Sequence, residues 1–332
     1  MRVLVTGATS MLGRATVGIL LRRGDDVTVL QRRPSSLPVR EVLGDVADPV
    51  VVERAVRGQD AVVHLAAKVD VVGRWRDYVH ANIDGTDNVV AACRAAGVGR
   101  LVHVSSPSVA HGGAALVGAG AEPADPERAR GSYSRSKAVA ELHALAADSM
   151  ALAVLVVRPH LVWGPGDTQL VGRIVARARA GRLPLLGSGA ALIDTTYVDN
   201  AATALVAALD ACGDVHGRAV VVSNGQPRPV GELVAGLCAA AGVPAPTRSV
   251  PSWAAWLAGA VVEGAWVASR RQDTPPMTRF LAEQLTTAHW FDQRHTRALL
   301  RWTPTVGLDE GFARLQQWYA AGPVPPTAGS VP

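Results

Sequence analysis

Residues 5–13 read Val-Thr-Gly-Ala-Thr-Ser-Met-Leu-Gly and connect a buried-strand pattern at residues 2–6 to the first helical pattern of the chain. A glycine-containing turn between a strand and a helix can hold a pyrophosphate on the helix N-terminus. Gly7 would form the tight turn, and Gly13 would allow close contact between helix and strand. Ser10 replaces the usual middle glycine, so its hydroxyl could donate to a phosphate. The residues predicted to contact the pyrophosphate are Gly7, Thr9, Ser10, Met11, Leu12 and Gly13.

Apolar segments and helical patterns alternate along the first half of the chain. This alternation predicts a parallel sheet with helices on both faces, which is a doubly wound α/β fold of the Rossmann type. Beyond about residue 165 the pattern becomes helix-rich, with one clear strand at 219–223. We therefore predict a dinucleotide-binding domain over residues 1–165, a smaller substrate-binding lobe over 166–320 that is interleaved with it, and a disordered tail over 321–332.

The composition is that of a globular enzyme, with 48% hydrophobic and 18% charged residues. The net charge of +5 is carried by dispersed arginines without a dense basic run, so no nucleic-acid partner is expected. Cys93, Cys212 and Cys238 have neither disulfide nor metal-site spacing. We therefore expect no metal and a cytoplasmic location.

One segment, residues 251–269, is rich in Trp, Ala and Val and resembles a membrane helix in composition. Glu263 interrupts it and leaves the apolar run too short to span a bilayer. A packed helix is the favoured interpretation, and a helix that rests on a membrane or lines the substrate site is the alternative.

The end of the second predicted strand distinguishes between the two nicotinamide cofactors. An acidic residue there would bind the ribose hydroxyl of NAD, but this chain has Gln31-Arg32-Arg33. Arginines suit a ribose phosphate, so Arg32 and Arg33 predict NADP rather than NAD. Asp45 and Val46 follow a third strand and are predicted to contact the adenine, although Asp45 could equally be a turn residue.

Lysine is rare in this chain, which has only Lys68 and Lys137, and Lys137 lies four residues after Tyr133. On a helix these two side chains share a face. An ammonium beside a phenol would lower the phenol pKa and allow proton transfer near neutral pH. The pair therefore predicts a tyrosine acid/base supported by lysine.

These motifs together resemble those of the extended short-chain dehydrogenases/reductases, over residues 1 to about 320. Within that family the chain is most similar to the 3β-hydroxysteroid dehydrogenase-like branch, and in particular to 2-alkyl-3-oxoalkanoate reductases. The motifs that carry the resemblance are Gly7/Gly13, Asp45, His64-Leu-Ala-Ala67, Ala81–Val90 with Asn82, Ser105-Ser106, Ser106–Val109, Tyr133/Lys137, Arg158–Asp167, Asp194–Asn200, Pro275–Phe280 and Thr287–Asp292.

The resemblance implies a role for each matching residue. Ser106, rather than Ser105, is the catalytic hydroxyl that donates to the developing alkoxide. Tyr133 transfers the proton, and Lys137 supports it and binds the nicotinamide ribose. Asn82 is implied to be a packing hydrogen bonder, and His64 to be bonded to backbone beside the cofactor. Further contacts are implied for the cofactor at Leu65, Ala66, Ala67, Tyr133, Lys137 and Pro159, and for the substrate at Ser106, His160, Leu161 and Trp163.

The predicted function is hydride transfer between a nicotinamide and a ketone or secondary alcohol on a bulky apolar substrate, a 2-alkyl-3-oxo acid ahead of a steroid. Nucleotide-sugar epimerases or dehydratases are the alternative, but those relatives commonly carry asparagine where this chain has Leu161. A cofactor-sensing scaffold protein is a non-enzymatic alternative, which need not keep the catalytic trio. Arg279 is a candidate residue for binding a substrate carboxylate. Residues 110–132 are predicted to form a loop over the site. A homodimer is expected by analogy with the family.

Overall fold

A computed structural model of the chain describes residues 1–70, 73–269 and 279–322. The strands are, in chain order, β1 Arg2–Thr6, β2 Asp26–Gln31, β3 Arg40–Leu43, β4 Ala61–His64, β5 Arg100–Val104, β6 Leu116–Ala119, β7 Ala153–Pro159, β8 Val162–Trp163, β9 Leu185–Leu186, β10 Leu192–Ile193, β11 Thr196–Tyr197, β12 Arg218–Val222, β13 Arg228–Pro229, β14 Ser249–Val250 and β15 His289–Phe291.

The helices alternate with the strands as the sequence predicts. They are α1 Met11–Arg22, α2 Pro49–Val56, α3 Trp75–Tyr78, α4 Gly85–Ala96, α5 Gly131–Ala146, α6 Val171–Arg179, α7 Val198–Ala211, α8 Val230–Ala240, α9 Ser252–Ala268, α10 Arg279–Thr286, α11 Arg294–Leu300 and α12 Leu308–Ala320. A π-helical turn, Val79–Asp84, joins α3 to α4, and a 3₁₀ turn, Pro107–Ala110, follows β5.

The central sheet has seven parallel strands in the order β3-β2-β1-β4-β5-β7-β12, which confirms the predicted Rossmann-type α/β fold. The strand order reverses between β1 and β4. In open α/β sheets, ligands bind in the crevice at the carboxyl ends of the strands beside such a reversal. A ligand crevice is therefore expected beside Gly7, the residue that follows β1.

Both faces of the sheet are covered, which explains the uninterrupted apolar character of its strands. Val3, Leu4 and Val5 of β1 are all fully buried. Because side chains alternate along a strand, Val3 and Val5 belong to the core on one face, and Leu4 belongs to the core on the other. Helices α1 and α7 cover one face of this central strand, and α2 and α4 cover the other.

The two predicted domains share one sheet. β12 lies after residue 165 but pairs in parallel with β7. A second, four-stranded sheet has the order β13-β10-β15-β6. Its strand β6 lies in residues 110–132, a segment predicted as a loop, and pairs with β15 near the other end of the chain. The long connection between β5 and α5 is therefore fixed by pairing with the C-terminal part.

Helix α9 agrees with the predicted packed helix, because it packs against α10. Its outer face leaves Trp253, Leu257 and Val261 exposed. Across the three ranges that the structure describes, no helix combines the length and the apolar character needed to cross a bilayer. The Pro275–Thr278 part of one family motif and residues 323–332 of the predicted tail lie outside the described residues.

Candidate active site

The glycine turn at residues 7–13 leaves a cradle that side chains would fill. Gly7 has φ +73, and a Cβ there would lie 2.8 Å from the backbone nitrogen of Ala66. A Cβ on Gly13 would lie 2.5 Å from the Gly7 carbonyl oxygen. Backbone from β1, β4 and α1 thus meets closely at the reversal of strand order. This geometry fits a dinucleotide pyrophosphate at the N-terminus of α1.

The hydroxyl of Ser10 bonds within its own turn. It caps α1 by accepting from the Gly13 amide at 3.0 Å, and it donates to the Gly7 carbonyl at 2.9 Å. Donation to a phosphate would require this hydroxyl to leave the Gly7 carbonyl, and that contact stays a prediction. The cap satisfies the Gly13 amide, which lies in the first turn of α1, and it stiffens the turn.

Two unpaired cations stand at the end of β2. Arg32 and Arg33 are exposed, and neither has a hydrogen-bond or ion-pair partner among the described residues. A carboxylate that the sequence did not predict, that of Glu41, lies nearby. Glu41 on β3 accepts from the Gln31 amide at 3.0 Å and from the Ser35 backbone at 2.8 Å. Glu41 thus holds the loop that carries both arginines, which remain free for an anionic ligand.

The predicted adenine residues lie one strand further out. Asp45 accepts from the Ala47 amide at 3.0 Å with one carboxylate oxygen, as a turn aspartate does. The Val46 side chain is buried against Gly85 of α4. Only its backbone could therefore contact a cofactor.

His64 is held by hydroxyl groups, which corrects the expectation of a backbone bond. Its Nδ1 lies 2.8 Å from the Thr6 hydroxyl and its Nε2 lies 3.2 Å from the Thr86 hydroxyl. Thr86 donates its only proton to the Asn82 carbonyl, so Nε2 of His64 must carry a proton. Burial, with a smaller contribution from the Lys137 charge, lowers the pKa of His64 to about 3. His64 is therefore a neutral packing residue and not a general base.

Asn82 lies in the π-helical turn and ties the cofactor side of the site to the catalytic helix. Its carboxamide accepts from the Lys68 amide at 2.7 Å and donates to the Ser136 hydroxyl at 2.9 Å. Ser136 in turn donates to the Tyr133 carbonyl at 2.8 Å. This chain of bonds supports the expected packing role, and it fixes the first turn of α5, where Tyr133 lies.

The predicted catalytic trio converges at the carboxyl edge of the sheet. Ser106 follows β5 and caps the 3₁₀ turn, with its hydroxyl 3.0 Å from that of Ser108. The Ser106 hydroxyl lies close enough to Tyr133 to oppose the rise in the pKa of its phenol, whereas the buried Ser105 hydroxyl has no partner among the described residues. Lys137 is buried one turn further along α5. The structure thus brings together Ser106, Tyr133 and Lys137.

The charges in this trio differ from the expectation that lysine lowers the tyrosine pKa. Burial raises the pKa of Tyr133, and Ser106 only partly opposes the rise. Burial also lowers the pKa of Lys137 to about 8. The Lys137 ammonium donates to the Val104 carbonyl at 2.8 Å and lies 3.4 Å from His103 Nε2. Tyr133 is therefore a protonated phenol at neutral pH, ready to donate.

A buried ion pair orients α5, the helix that carries Tyr133 and Lys137. Arg158 at the end of β7 donates to both carboxylate oxygens of Glu141, one of them at 3.0 Å, and to the Glu122 carbonyl at 2.7 Å. Glu141 lies two turns after Tyr133 on α5. Because both charges are buried, removing either partner would be costly. The pair fixes the rotation of α5 relative to the sheet.

Of the four predicted substrate residues, the three that follow β7 differ in their exposure. Trp163 is only 1% exposed, donates to the Thr195 hydroxyl at 2.9 Å and stacks on Phe312, so it belongs to the C-terminal core and does not line the site. His160 is buried edge-on against His289 and Phe291. Leu161 is partly exposed, with φ +42. Of the three, only Leu161 presents part of its surface.

The chain matches the NAD dependent epimerase/dehydratase family over residues 3–223. A 2-alkyl-3-oxoalkanoate reductase from Stenotrophomonas maltophilia is 43% identical over 330 residues, which cover 97% of this chain and 100% of that protein. A protein of the same name from Shewanella oneidensis is 37% identical, covering 94% and 84% of the two chains. A 3-beta-hydroxysteroid dehydrogenase from Mycolicibacterium neoaurum is 29% identical, covering 96% and 91%.

Solved structures share the fold over nearly the whole chain. MoeE5 in complex with UDP-glucose and NAD superposes with a TM-score of 0.74 at 26% sequence identity, covering 97% of this chain and 99% of that one.

Proposed function

The chain belongs to the NAD dependent epimerase/dehydratase family, as its motifs predict, and on this basis we propose that it is a nicotinamide-dependent 2-alkyl-3-oxoalkanoate reductase. The observation that carries the proposal is the convergence of Ser106 and Tyr133 with the buried Lys137, whose ammonium donates to the Val104 carbonyl two residues before Ser106. The trio lies at the edge of the sheet where the Gly7 turn can hold a dinucleotide. A scaffold protein would have no need of this arrangement.

Each member of the trio has a defined task in ketone reduction. A bound nicotinamide supplies the hydride, and the protein supplies orientation and the proton. Tyr133 donates its phenolic proton to the substrate oxygen, and its raised pKa keeps the phenol protonated at neutral pH until it reacts. Ser106 donates a hydrogen bond to the same oxygen as negative charge develops there. Lys137 holds a positive charge against the end of β5 and is placed to bind the nicotinamide ribose.

We propose NADP as the preferred cofactor. Arg32 and Arg33 are unpaired at the end of β2, and no acidic residue ends that strand. A guanidinium pairs well with a phosphate in the two-pronged geometry that carboxylates and phosphates share. NAD is the alternative that the family description and the NAD-bound MoeE5 structure favour.

The proposed substrate is a 3-oxo acid with long alkyl groups, as the names of the two reductases state for those proteins. Leu161 supports an apolar substrate, because it keeps a large aliphatic side chain in a backbone conformation that disfavours one. The three cysteines are buried thiols. They are compatible with the cytoplasmic location that we propose.

A nucleotide-sugar epimerase or dehydratase is the second candidate, favoured by the likeness to MoeE5 in complex with UDP-glucose. A chain-length series of 2-alkyl-3-hydroxy acids, followed by NADPH absorbance in the oxidative direction, separates the two. Each buried methylene contributes about 0.8 kcal/mol, so kcat/KM should rise roughly fourfold per methylene until the pocket is full. No dependence on chain length, together with turnover of a uridine-diphosphate sugar, would favour the epimerase.

A further inference from the structure

His111 is a buried histidine that the catalytic trio does not use. It directly follows the 3₁₀ turn that Ser106 caps, and it is only 4% exposed. Neither ring nitrogen has a hydrogen-bond partner among the described residues. A buried imidazole without partners is costly, since at least one N–H is desolvated without compensation. A ligand that accepts a hydrogen bond would remove this cost.

Arg130 stands next to this histidine at the start of the catalytic helix. It directly precedes α5, three residues before Tyr133, and its side chain is 49% exposed. A Cβ on Gly113 would lie 2.6 Å from the Arg130 guanidinium carbon, so this glycine makes room for the cation. Packing between Val109 and Ala129 keeps the two segments together. The guanidinium thus lies over the segment that follows His111.

The carboxylate beside Arg130 comes from α10. Glu283 Oε1 accepts from the Arg130 guanidinium and from the Trp256 indole at 3.2 Å. Burial is the main cause of the lowered pKa of His111, and the charges of Glu283 and Arg130 act on it in opposite directions. The imidazole is therefore neutral at neutral pH and lies close to both charged groups. One carboxylate, that of Glu283, is thus already bound to Arg130.

We propose that Arg130 and His111 form the subsite for the substrate carboxylate, and that Glu283 is an internal carboxylate which the substrate displaces. The inference rests on the proposed function, because it assigns the acid group of a 3-oxo acid. In such an acid the carboxylate is two carbons from the reacting carbonyl carbon. Its subsite must therefore lie close to Ser106 and Tyr133. His111 lies five residues after Ser106, and Arg130 lies three residues before Tyr133.

Arg279, the arginine suggested for this role by the sequence, has other partners. Its guanidinium donates to Glu263 of α9 at 2.7 Å, and it lies over the Trp256 ring at 5.7 Å from the centroid. It therefore joins α9 to α10. Displacement of Glu283 from Arg130 would remove the direct ion pair between this helix pair and the catalytic helix.

The test is the binding of a 2-alkyl-3-hydroxy acid and of its methyl ester, measured by calorimetry with saturating NADPH. Reduced cofactor and an alcohol cannot react, so the readout is independent of turnover. Arg130→Ala should weaken binding of the acid roughly 10- to 100-fold, the loss of one charge-assisted bond, and leave the ester within about threefold. Glu283→Gln should strengthen binding of the acid only, because the competing charge is gone.

Arg135→Ala is the matched control, since Arg135 lies on the same helix but stacks over Trp75 at 5.1 Å. It should change neither ligand. Equal weakening of acid and ester by Arg130→Ala would make Arg130 a structural residue and overturn the subsite. Unchanged binding of the acid would overturn it as well. Tight binding of both ligands to the wild type, without preference for the acid, would leave the reductase proposal standing and remove only the subsite.

Discussion

Lys137 donates its ammonium to the carbonyl oxygen of Val104 at 2.8 Å, and this bond joins the helix that carries Tyr133 to the strand that leads into Ser106. The lysine thus links the backbone segments that carry the two proposed catalytic hydroxyls, those of Ser106 and Tyr133. Arginine has a longer, planar head group and would displace one of these elements. This relationship explains why a chain so poor in lysine keeps one here.

The first prediction concerns the charge of Lys137. Burial lowers its pKa to about 8, against about 10.4 for an unfolded lysine. Lysine-selective isotope labelling should give one resonance that titrates near 8, assigned with Lys68→Arg because the chain has only two lysines. A midpoint above about 10 would contradict the assignment.

The same shift fixes the sign of a stability effect. Above about 8 the folded chain has released the proton that the unfolded chain keeps up to about 10.4. The contribution of Lys137 to the free energy of unfolding should therefore increase as pH rises through this window. Relative to Lys137→Met, the wild type should gain stability between these values and show no such gain below about 8, as measured by denaturant titration.

The second prediction is that Lys137→Arg is severely impaired although it keeps the positive charge. The guanidinium cannot occupy the buried place between Val104 and His103 without moving α5 or β5. We expect the loss mainly in kcat, with a circular dichroism spectrum like that of the wild type. Nearly normal turnover of this variant would contradict the claim that a guanidinium cannot fit between Val104 and His103.

The third prediction is a preference for NADPH over NADH that depends on Arg32 and Arg33. A charge-assisted hydrogen bond contributes about 1.5–3 kcal/mol, so each alanine variant should lose roughly tenfold or more in NADPH affinity. NADH affinity should hardly change, because it has no ribose phosphate. Fluorescence titration with both cofactors measures this, and a wild-type preference for NADH would show that the end of β2 was misinterpreted.

The fourth prediction is that Leu161→Asn stabilises the fold while it weakens selection for long alkyl chains. Leu161 has φ +42, a region that asparagine tolerates better than leucine. We expect a gain of about 0.5–1 kcal/mol in thermal or denaturant unfolding. The dependence of kcat/KM on chain length should become shallower. Leu161→Ala is the control, since it removes the large side chain but, unlike asparagine, is no better suited to a positive φ.

The sequence was sufficient where function depends on local spacing. The glycine turn and the Tyr133/Lys137 pair are each defined within a few residues of the chain, and in the structure Gly7 directly follows β1 and Lys137 lies one turn after Tyr133 on α5. The alternation of apolar and helical segments likewise predicted the parallel sheet that the structure has. Local spacing could not show that the Ser10 hydroxyl caps α1, because a serine that caps a helix and a serine that binds a phosphate look the same in sequence.

Contacts between distant segments account for what the sequence missed. The pairing of β6 with β15 joins segments more than a hundred residues apart, and it turns a predicted loop into part of a sheet. Arg130 and Glu283 are likewise distant in sequence, and neither belongs to a recognisable motif. Trp163 looked like a substrate residue because of its neighbours in the chain, but packing against Phe312 places it in the core.

The central claim is that Tyr133 transfers the proton in a nicotinamide-dependent reaction of a 3-oxo or 3-hydroxy acid. The most direct measurement compares wild type and Tyr133→Phe in the oxidation of a long-chain 2-alkyl-3-hydroxy acid by NADP, followed by NADPH absorbance. We expect the variant to bind NADPH nearly as the wild type does and to lose roughly 100-fold or more in rate, the contribution of a positioned acid/base. A variant that keeps more than about a tenth of the wild-type rate would contradict the account.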